Sequence, residues 1–279
     1  MADFIRNIYI LARTPSGTEG EVRGLDIEFS IELSVDSSPD AGIVKIYNLN
    51  ESSRAKFEEE GTLVSLYAGY SNPGLIFRGQ VTKSTSAPAS GDWITTLTLT
   101  VAKFSSDRAI MDRAFPKGTP INNVLEQLAD AYVAFGINKY LQLSNTQGRN
   151  IEKPISVLGK VKHSLDDICA DYGYQWRVTQ TELIIEPEGV VDARDGEIVP
   201  VVSALTGLME IPSISTEGNK NVIEFVSNLN GRLMPNRRVR VDSLDPKYNG
   251  DYVIKHVVFS GGNTGNEFNT KVRGESVGG

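Results

Sequence analysis

Cysteine occurs once in this 279-residue chain, as Cys169, and histidine twice, as His163 and His256. A lone cysteine cannot close an intrachain disulfide, which suits assembly in a reducing cytoplasm or indifference to redox conditions. Two histidines leave too little material for a zinc or multi-histidine iron site, so neither a metal nor another cofactor is expected. No run approaches the ~18 consecutive apolar residues that a membrane-spanning helix requires. The first thirteen residues mix Asp3, Arg6 and Asn7 into an apolar stretch, so no cleaved secretion signal is expected. Basic residues are also in the minority: 28 Lys and Arg face 35 Asp and Glu, a formal charge of −7. Tight, sequence-independent binding of DNA or RNA needs cations that neutralise phosphates, and this composition opposes it.

What is present is enough apolar material, 40% of residues, for ordinary hydrophobic cores in two or three domains. Residues 26–33 alternate Ile27, Phe29, Ile31 and Leu33 with polar partners, and further period-two stretches cover 42–48, 63–69, 75–83 and 93–101. One short helix over 53–60 interrupts them, with Asn50 or Ser52 as N-cap and Gly61 as its stop. These elements predict a small barrel or sandwich. From about Phe104 the period becomes 3.6. Thr119-Pro120 opens a helix with Ile121, Val124, Leu125, Leu128, Tyr132 and Val133 on one face, ending near Gly136. A second helix from Ser164 turns Leu165, Ile168, Cys169 and Tyr172 inward and stops at Gly173. Strands over 174–178 and 183–186, joined by a turn at 179–181, complete an α+β unit of two helices on a hairpin. From about Asp192 strands return, over 197–202, 221–226, 238–241, 251–260 and 267–273.

The last third repeats the order of the first, the kind of self-similarity that precedes any motif in weight. Asn48-Leu49-Asn50 ends one strand and Asn228-Leu229-Asn230 another. Residues 62–68 then match 237–243, residues 74–81 match 250–258, and the closing strand from Asp92 matches that from Glu267. Two similar β domains around an insert would show similar surfaces twice per chain. Three chains would form a ring of six such units.

This ordered series resembles the baseplate hub proteins of contractile-tailed bacteriophages, also described as late control or tail hub proteins. In the first domain the matching residues run from Val44 to Leu49, from Val64 to Tyr70 and from Leu75 to Gly79. In the middle domain they are the approach from Phe115 to Pro120, Gly159, and the helix and strand from Leu165 to Trp176. The third domain contributes Thr206-Gly207-Leu208, Pro212, Asn228-Leu229-Asn230, Arg237-Arg238-Val239, Asn249-Gly250-Asp251-Tyr252, and Ser260-Gly261 leading to Asn266. Two positions depart from the family pattern: Phe259 stands where members carry His before Ser-Gly, and Phe268 where they carry Trp.

The resemblance implies a mainly β fold with an α+β insert: two similar small, tube-like β-barrel domains, 1–104 and 192–279, flanking a helix-plus-hairpin domain, 105–191. It implies a structural, non-enzymatic hub. A homotrimer would present six tube-like domains to a sixfold tail tube or tube-initiator protein on one face. It would hold a threefold central spike on the other face, contact other baseplate proteins and enclose a channel for passing DNA. The expected place is the virion baseplate, after assembly in the host cytoplasm, and no stretch is left for a fused cell-wall hydrolase.

Residue chemistry offers few competitors. Cys169, with His163 six residues before it and Asp166 or Asp167 between, falls on the apolar stripe of its helix, where an inert buried thiol is expected. Asp166 and Asp167, neighbours in sequence, diverge by about 100° on a helix and suit its N-terminal dipole better than shared proton work. Arg232, Arg237, Arg238 and Arg240 form the one notable cationic cluster, with Arg238 and Arg240 on one strand face. It is read as a solvated face, as an intersubunit or tube-facing contact with carboxylates or, third, as a phosphate-binding patch. Residues 261–265, Gly-Gly-Asn-Thr-Gly, lack the Lys-Ser/Thr and following helix of a phosphate cradle and read as a hairpin turn. The alternative function is a monomeric β-barrel module that binds oligonucleotides or glycans by stacking on Trp93, Phe77, Tyr67 and Tyr70. No catalytic residue is assigned.

Overall fold

The structure, a computed structural model, describes residues 5–35, 40–59, 61–101, 109–135, 137–179, 182–188, 198–217, 220–265 and 267–277. Glu60, Gly136, Gln180, Thr181, Glu197 and Asn266, and the expected domain boundaries near Phe104 and Asp192, lie outside them. Residues 1–100 group with 191–279 into one compact unit, and residues 101–190 form another.

The first unit begins with β1 (Arg6–Arg13), β2 (Glu19–Arg23), β3 (Ile27–Ser34), β4 (Ala41–Tyr47), α1 (Glu51–Glu58), β5 (Leu63–Tyr70), β6 (Gly74–Ala89) and β7 (Asp92–Thr100). Strand β1 was absent from the sequence expectations. Its signal was the alternation of Ile8, Ile10 and Ala12, all buried, and it lies between β2 and β5. Asn50 is the N-cap of α1: its side chain accepts from the Ser53 amide at 2.8 Å, and Phe57 is the helix's buried anchor. Gly79 is needed for packing, because a Cβ there would meet the Phe77 ring at 2.6 Å and the Thr100 carbonyl oxygen at 2.8 Å.

The second unit contains β8 (Ile110–Phe115), α2 (Ile121–Val133), β9 (Asn138–Leu141), β10 (Ile155–Lys160), α3 (Val161–Tyr172), β11 (Tyr174–Val178) and β12 (Glu182–Pro187). Its core joins Val124, Leu125 and Leu128 of α2 to Leu165 and Ile168 of α3 and to Leu183 and Ile185 of β12. The hairpin β11–β12 is as expected, and β9 adds a parallel strand beside β12. Two helix starts differ from expectation. Pro120 is the N-cap, with ψ of 132°, not the first helical residue, and Thr119 Oγ1 donates to the Pro116 carbonyl. Helix α3 starts at Val161, three residues before Ser164, because Val161 continues the buried stripe of Leu165, Ile168 and Cys169. Gly173 stops it in the left-handed region, φ 70°. Strands β8 and β10 escaped sequence reading, since exposed Ile110 and Leu158 break the alternation there.

The chain re-enters the first unit with β13 (Val201–Ser203), β14 (Ser213–Glu217), β15 (Lys220–Asn228), β16 (Arg238–Asp242), β17 (Gly250–Gly262) and β18 (Phe268–Ser276). All strands of the unit belong to one 13-stranded sheet. Within it the order β3-β4-β7-β6-β5 recurs as β14-β15-β18-β17-β16. The match extends to a defect. The β6·β7 register shifts between Val81 and Lys83, and the β17·β18 register shifts between Ile254 and His256. A bulge at one place in both ladders is a strong sign of a true structural repeat, because bulges are specific features of a strand pair. Counting from it, Ile94 corresponds to Asn269, so Tyr47 corresponds to Asn228. The two Asn-Leu-Asn tripeptides are therefore one residue out of ladder register.

The copies also differ. Strand β13 runs parallel to β16, whereas β1 runs antiparallel to β5. Turns occupy 231–237, between β15 and β16, where the first copy has α1. The sheet follows one open path with β13 and β16 branching from β17; among the described residues no ladder closes either copy into a barrel.

Candidate interaction surfaces

The copies meet where β17 pairs with β3, from His256 opposite Ser34 to Gly262 opposite Glu28. On one face Val257 and Phe259 pack with Phe29, Ile31 and Leu33, all buried. At about 25 cal/mol per Å² of apolar surface removed from water, these side chains make the seam part of the core. The glycine-rich 261–265 loop is the turn expected, and it is fastened rather than projecting. Arg6 Nη1 donates to the carbonyls of Gly262 at 3.0 Å, Gly265 at 2.9 Å and Glu267 at 3.4 Å. Asn263 Oδ1 accepts from the Ile27 amide at 2.9 Å, and Thr264 Oγ1 donates to Asp26 at 2.9 Å. Phe268 is buried under the Arg6 guanidinium, 5.0 Å away, with Tyr70 and Phe29 edge-on. Burial raises the Tyr70 pKa above its ordinary value, and the Arg6 charge partly opposes this. Phe259 and Phe268, the two departures from the family pattern, are thus seam residues.

The opposite face of this sheet is polar; Lys271 is exposed on it, and three other basic side chains there lie beside carboxylates. Lys45 Nζ lies 3.4 Å from Glu28, His256 Nε2 lies 2.7 Å from Glu32, and Arg273 pairs with Glu217 and, at 3.6 Å, with Glu224. The register puts all of these on one side, row after row across β14, β15, β18, β17, β3 and β4.

The arginine cluster lies in and before β16. Arg238 and Arg240 are exposed while Val239 and Val241 between and after them are buried, as the alternation implied. Arg240 faces Asp251 across the ladder, Nε to Oδ1 4.0 Å, an exposed pair worth about 0.2–1 kcal/mol at most. Arg232 is exposed and its amide donates to Asn230 Oδ1; Arg237 is half-buried.

In the second unit Cys169 is buried and its thiol pKa is pushed up to about 12, first by burial and then by the Asp166 charge. His163 is exposed on another side of α3, so no nucleophile–base pair forms. Asp166, with α3 starting at Val161, lies beyond the first turn; it accepts a hydrogen bond from the Trp176 indole at 2.9 Å instead of serving the helix dipole. No group of three or more His, Cys, Asp or Glu side chains able to hold a metal occurs among the described residues. Of the four aromatic residues that might have formed a stacking face, Phe77 is fully buried, Tyr67 stacks on Tyr9 at 4.7 Å, and Tyr70 packs on Phe268. Trp93 is 39% exposed and lies beneath Arg54. Their rings are spent on internal contacts, which disfavours the stacking module.

The sequence matches the family model "Baseplate hub gp41" over residues 23–274. Known structures of similar fold include a 43 kDa tail protein of prophage MuSo2 from Shewanella oneidensis: TM-score 0.64, 10% identity, 95% of each chain covered. A tail protein from Neisseria meningitidis MC58 aligns with TM-score 0.66 and 10% identity over 97% of each chain. An Escherichia coli type VI secretion component, itself described as similar to the T4 phage tail proteins gp27 and gp5, aligns with TM-score 0.61 and 9% identity, covering 91% of this chain and 74% of that one. At such identities the likeness is one of fold. No curated protein matches the sequence. No helix among the described residues is long and apolar enough to cross a membrane. With the family model spanning nearly the whole repeat-and-insert architecture, the chain belongs to the Baseplate hub gp41 family and is a structural protein of the phage tail baseplate.

Proposed function

We propose that three copies of the chain form a pseudo-sixfold ring that joins a sixfold tail tube to a threefold central spike and encloses the path of the DNA. The observation that carries this reading is the repeat: one strand order used twice, with the bulge in the same place in both copies. The two copies contact each other head to tail, since β17 of one meets β3 of the other, whose counterpart is β14. Contacts of this heterologous type generate closed rings when the rotation closes, and two units per chain let three chains fill six positions. In this reading residues 1–104 and 192–279 act as the tube-like domains and 105–191 as the middle domain.

The polar sheet face supports the channel. Glu28, Glu217 and Glu224 lie beside Lys45 and Arg273, and Glu32 beside His256, so carboxylates accompany most of the basic side chains that a sliding DNA backbone would meet there. The exposed arginines Arg232, Arg238 and Arg240, with half-buried Arg237 beside them, are proposed to meet carboxylates of a neighbouring subunit or of the tube, where a planar guanidinium can pair through two hydrogen bonds. The spike, the tube or its initiator and other baseplate proteins are the proposed partners, with DNA as passing cargo and assembly in the host cytoplasm before incorporation in the virion.

The test is the solution mass by light scattering, with and without the spike protein of the same phage. A mass of three times 30.5 kDa in either condition is expected. A single-chain mass in both conditions overturns the ring.

A further inference from the structure

The seam inside the chain specifies the joint between chains, strand by strand. In the second copy the far half of β17, residues 256–262, has β18 on one side and β3 on the other. In the first copy the corresponding half of β6, residues 83–89, has β7 on one side, and among the described residues no strand on the other. The counterpart of β3 is β14, which ends the sheet path, and among the described residues no strand pairs with its other edge. Two of the edges left open among the described residues, those of β6 and β14, are thus the two halves of the same joint.

We infer that the edge of β6 at residues 83–87 pairs antiparallel with β14 of a second copy of this chain, in the register of the internal β17·β3 ladder. The bulge aligns Lys83 with His256, and the β3·β4 and β14·β15 ladders align Ser34 with Glu217. His256 faces Ser34 in the seam, so Lys83 faces Glu217 of the next chain. The pairs that follow are Ser84 with Thr216, Thr85 with Ser215, Ser86 with Ile214, and Ala87 with Ser213.

Two independent features fit this register. The first pair brings opposite charges together, a favourable cross-strand combination. Lys83 has no ion-pair partner among the described residues, and the Glu217 carboxylate, bonded to Arg273, has a second oxygen to offer. At the other end, Pro88 falls opposite Pro212. Neither residue has an amide hydrogen, so the ladder ends on both edges at once with no donor stranded. A one-residue slip would lose both matches and turn each side chain to the wrong face.

The inference rests on the ring reading and adds to it which strands touch and in what register. Directly opposed residues of an antiparallel pair have Cβ atoms about 4.5–5.5 Å apart, close enough for a disulfide after slight adjustment. The full chain carrying Thr85→Cys with Ser215→Cys, both exposed sites, is oxidised with and without the spike protein and run on a non-reducing gel. A covalent series ending at three chains is expected. Thr85→Cys with Thr216→Cys, whose side chains face opposite sides of the sheet, should give at least tenfold less of it. Buried Cys169 contributes no background, which the two single variants check. A three-chain mass by light scattering with no cross-link, or with equal cross-linking from both pairs, overturns the strand joint and spares the ring. A single-chain mass in both conditions overturns the two together.

Discussion

The two β copies share a strand order yet differ in chemistry at matching positions. Strand β3 buries Ile27, Phe29, Ile31 and Leu33 on alternate residues, whereas its counterpart β14, Ser-Ile-Ser-Thr-Glu, is exposed throughout. In β17, Val257 and Phe259 are buried; their counterparts in β6 are Ser84 and Ser86. The lesson concerns when each edge is covered. A seam between two parts of one chain closes as the chain folds, so it can be apolar. An edge that waits for another molecule must stay soluble in the meantime, and charge, polar residues and proline keep it from pairing indiscriminately. Lys83, Pro88 and Glu217 supply those devices here. Among the described residues the second copy also holds the most exposed large apolar side chains, Leu205 at 98%, Leu244 at 83% and Ile198 at 81%, against Ile5 at 67% in the first copy.

The comparison breaks most visibly if seam and edge respond alike to truncation. Phe259→Ala should cost about 3–5 kcal/mol, the usual range for emptying an aromatic core site. Ser86→Ala, at the matching edge position, should cost about 1 kcal/mol or less even though its hydroxyl bonds Thr95 at 3.0 Å. Urea unfolding followed by Trp93 fluorescence in a Trp176→Phe background would read the first unit selectively. Equal losses would mean that the seam is no more of a core than the edge.

A smaller effect sharpens what holds the copies together beyond apolar packing. Arg6→Ala removes three carbonyl contacts and the cation over Phe268, and a loss of about 2 kcal/mol is expected for a charged donor of this kind. Amide hydrogen exchange at 262–268 should accelerate in the same variant while exchange in β11 and β12 stays unchanged. The smallest expected effect concerns α1, which the second copy lacks. Asn50→Ala deletes its cap and should cost about 1 kcal/mol in the same unfolding measurement. Asn230→Ala, on the turn that replaces the helix, should cost less.

Much of this was readable beforehand, and particular residues say why. The stripe of Leu165, Ile168 and Cys169 predicted a buried thiol because a helix repeats its faces every three to four residues, and nothing outside the helix is needed to see it. The left-handed stop at Gly173 and the Asn50 cap are equally local. Apolar periodicity is blurred in β8 and β10, which leave Ile110 and Leu158 exposed, whereas β1 carries a short local signal in its buried Ile8, Ile10 and Ala12. Strand alternation alone puts Arg238 and Arg240 on one face of β16, but only the ladder shows Arg240 opposite Asp251.

By itself the sequence determined the repeat, the insert and the alternation of strands such as β3 and β16, since each follows from residue types at short spacing. Only the tertiary structure decided that the copies fuse into one sheet, that the 261–265 loop is clamped by Arg6, and that the bulges correspond. Those facts depend on partners such as His256 and Glu32, 224 residues apart, and on edges whose availability emerges only once every other strand has been paired.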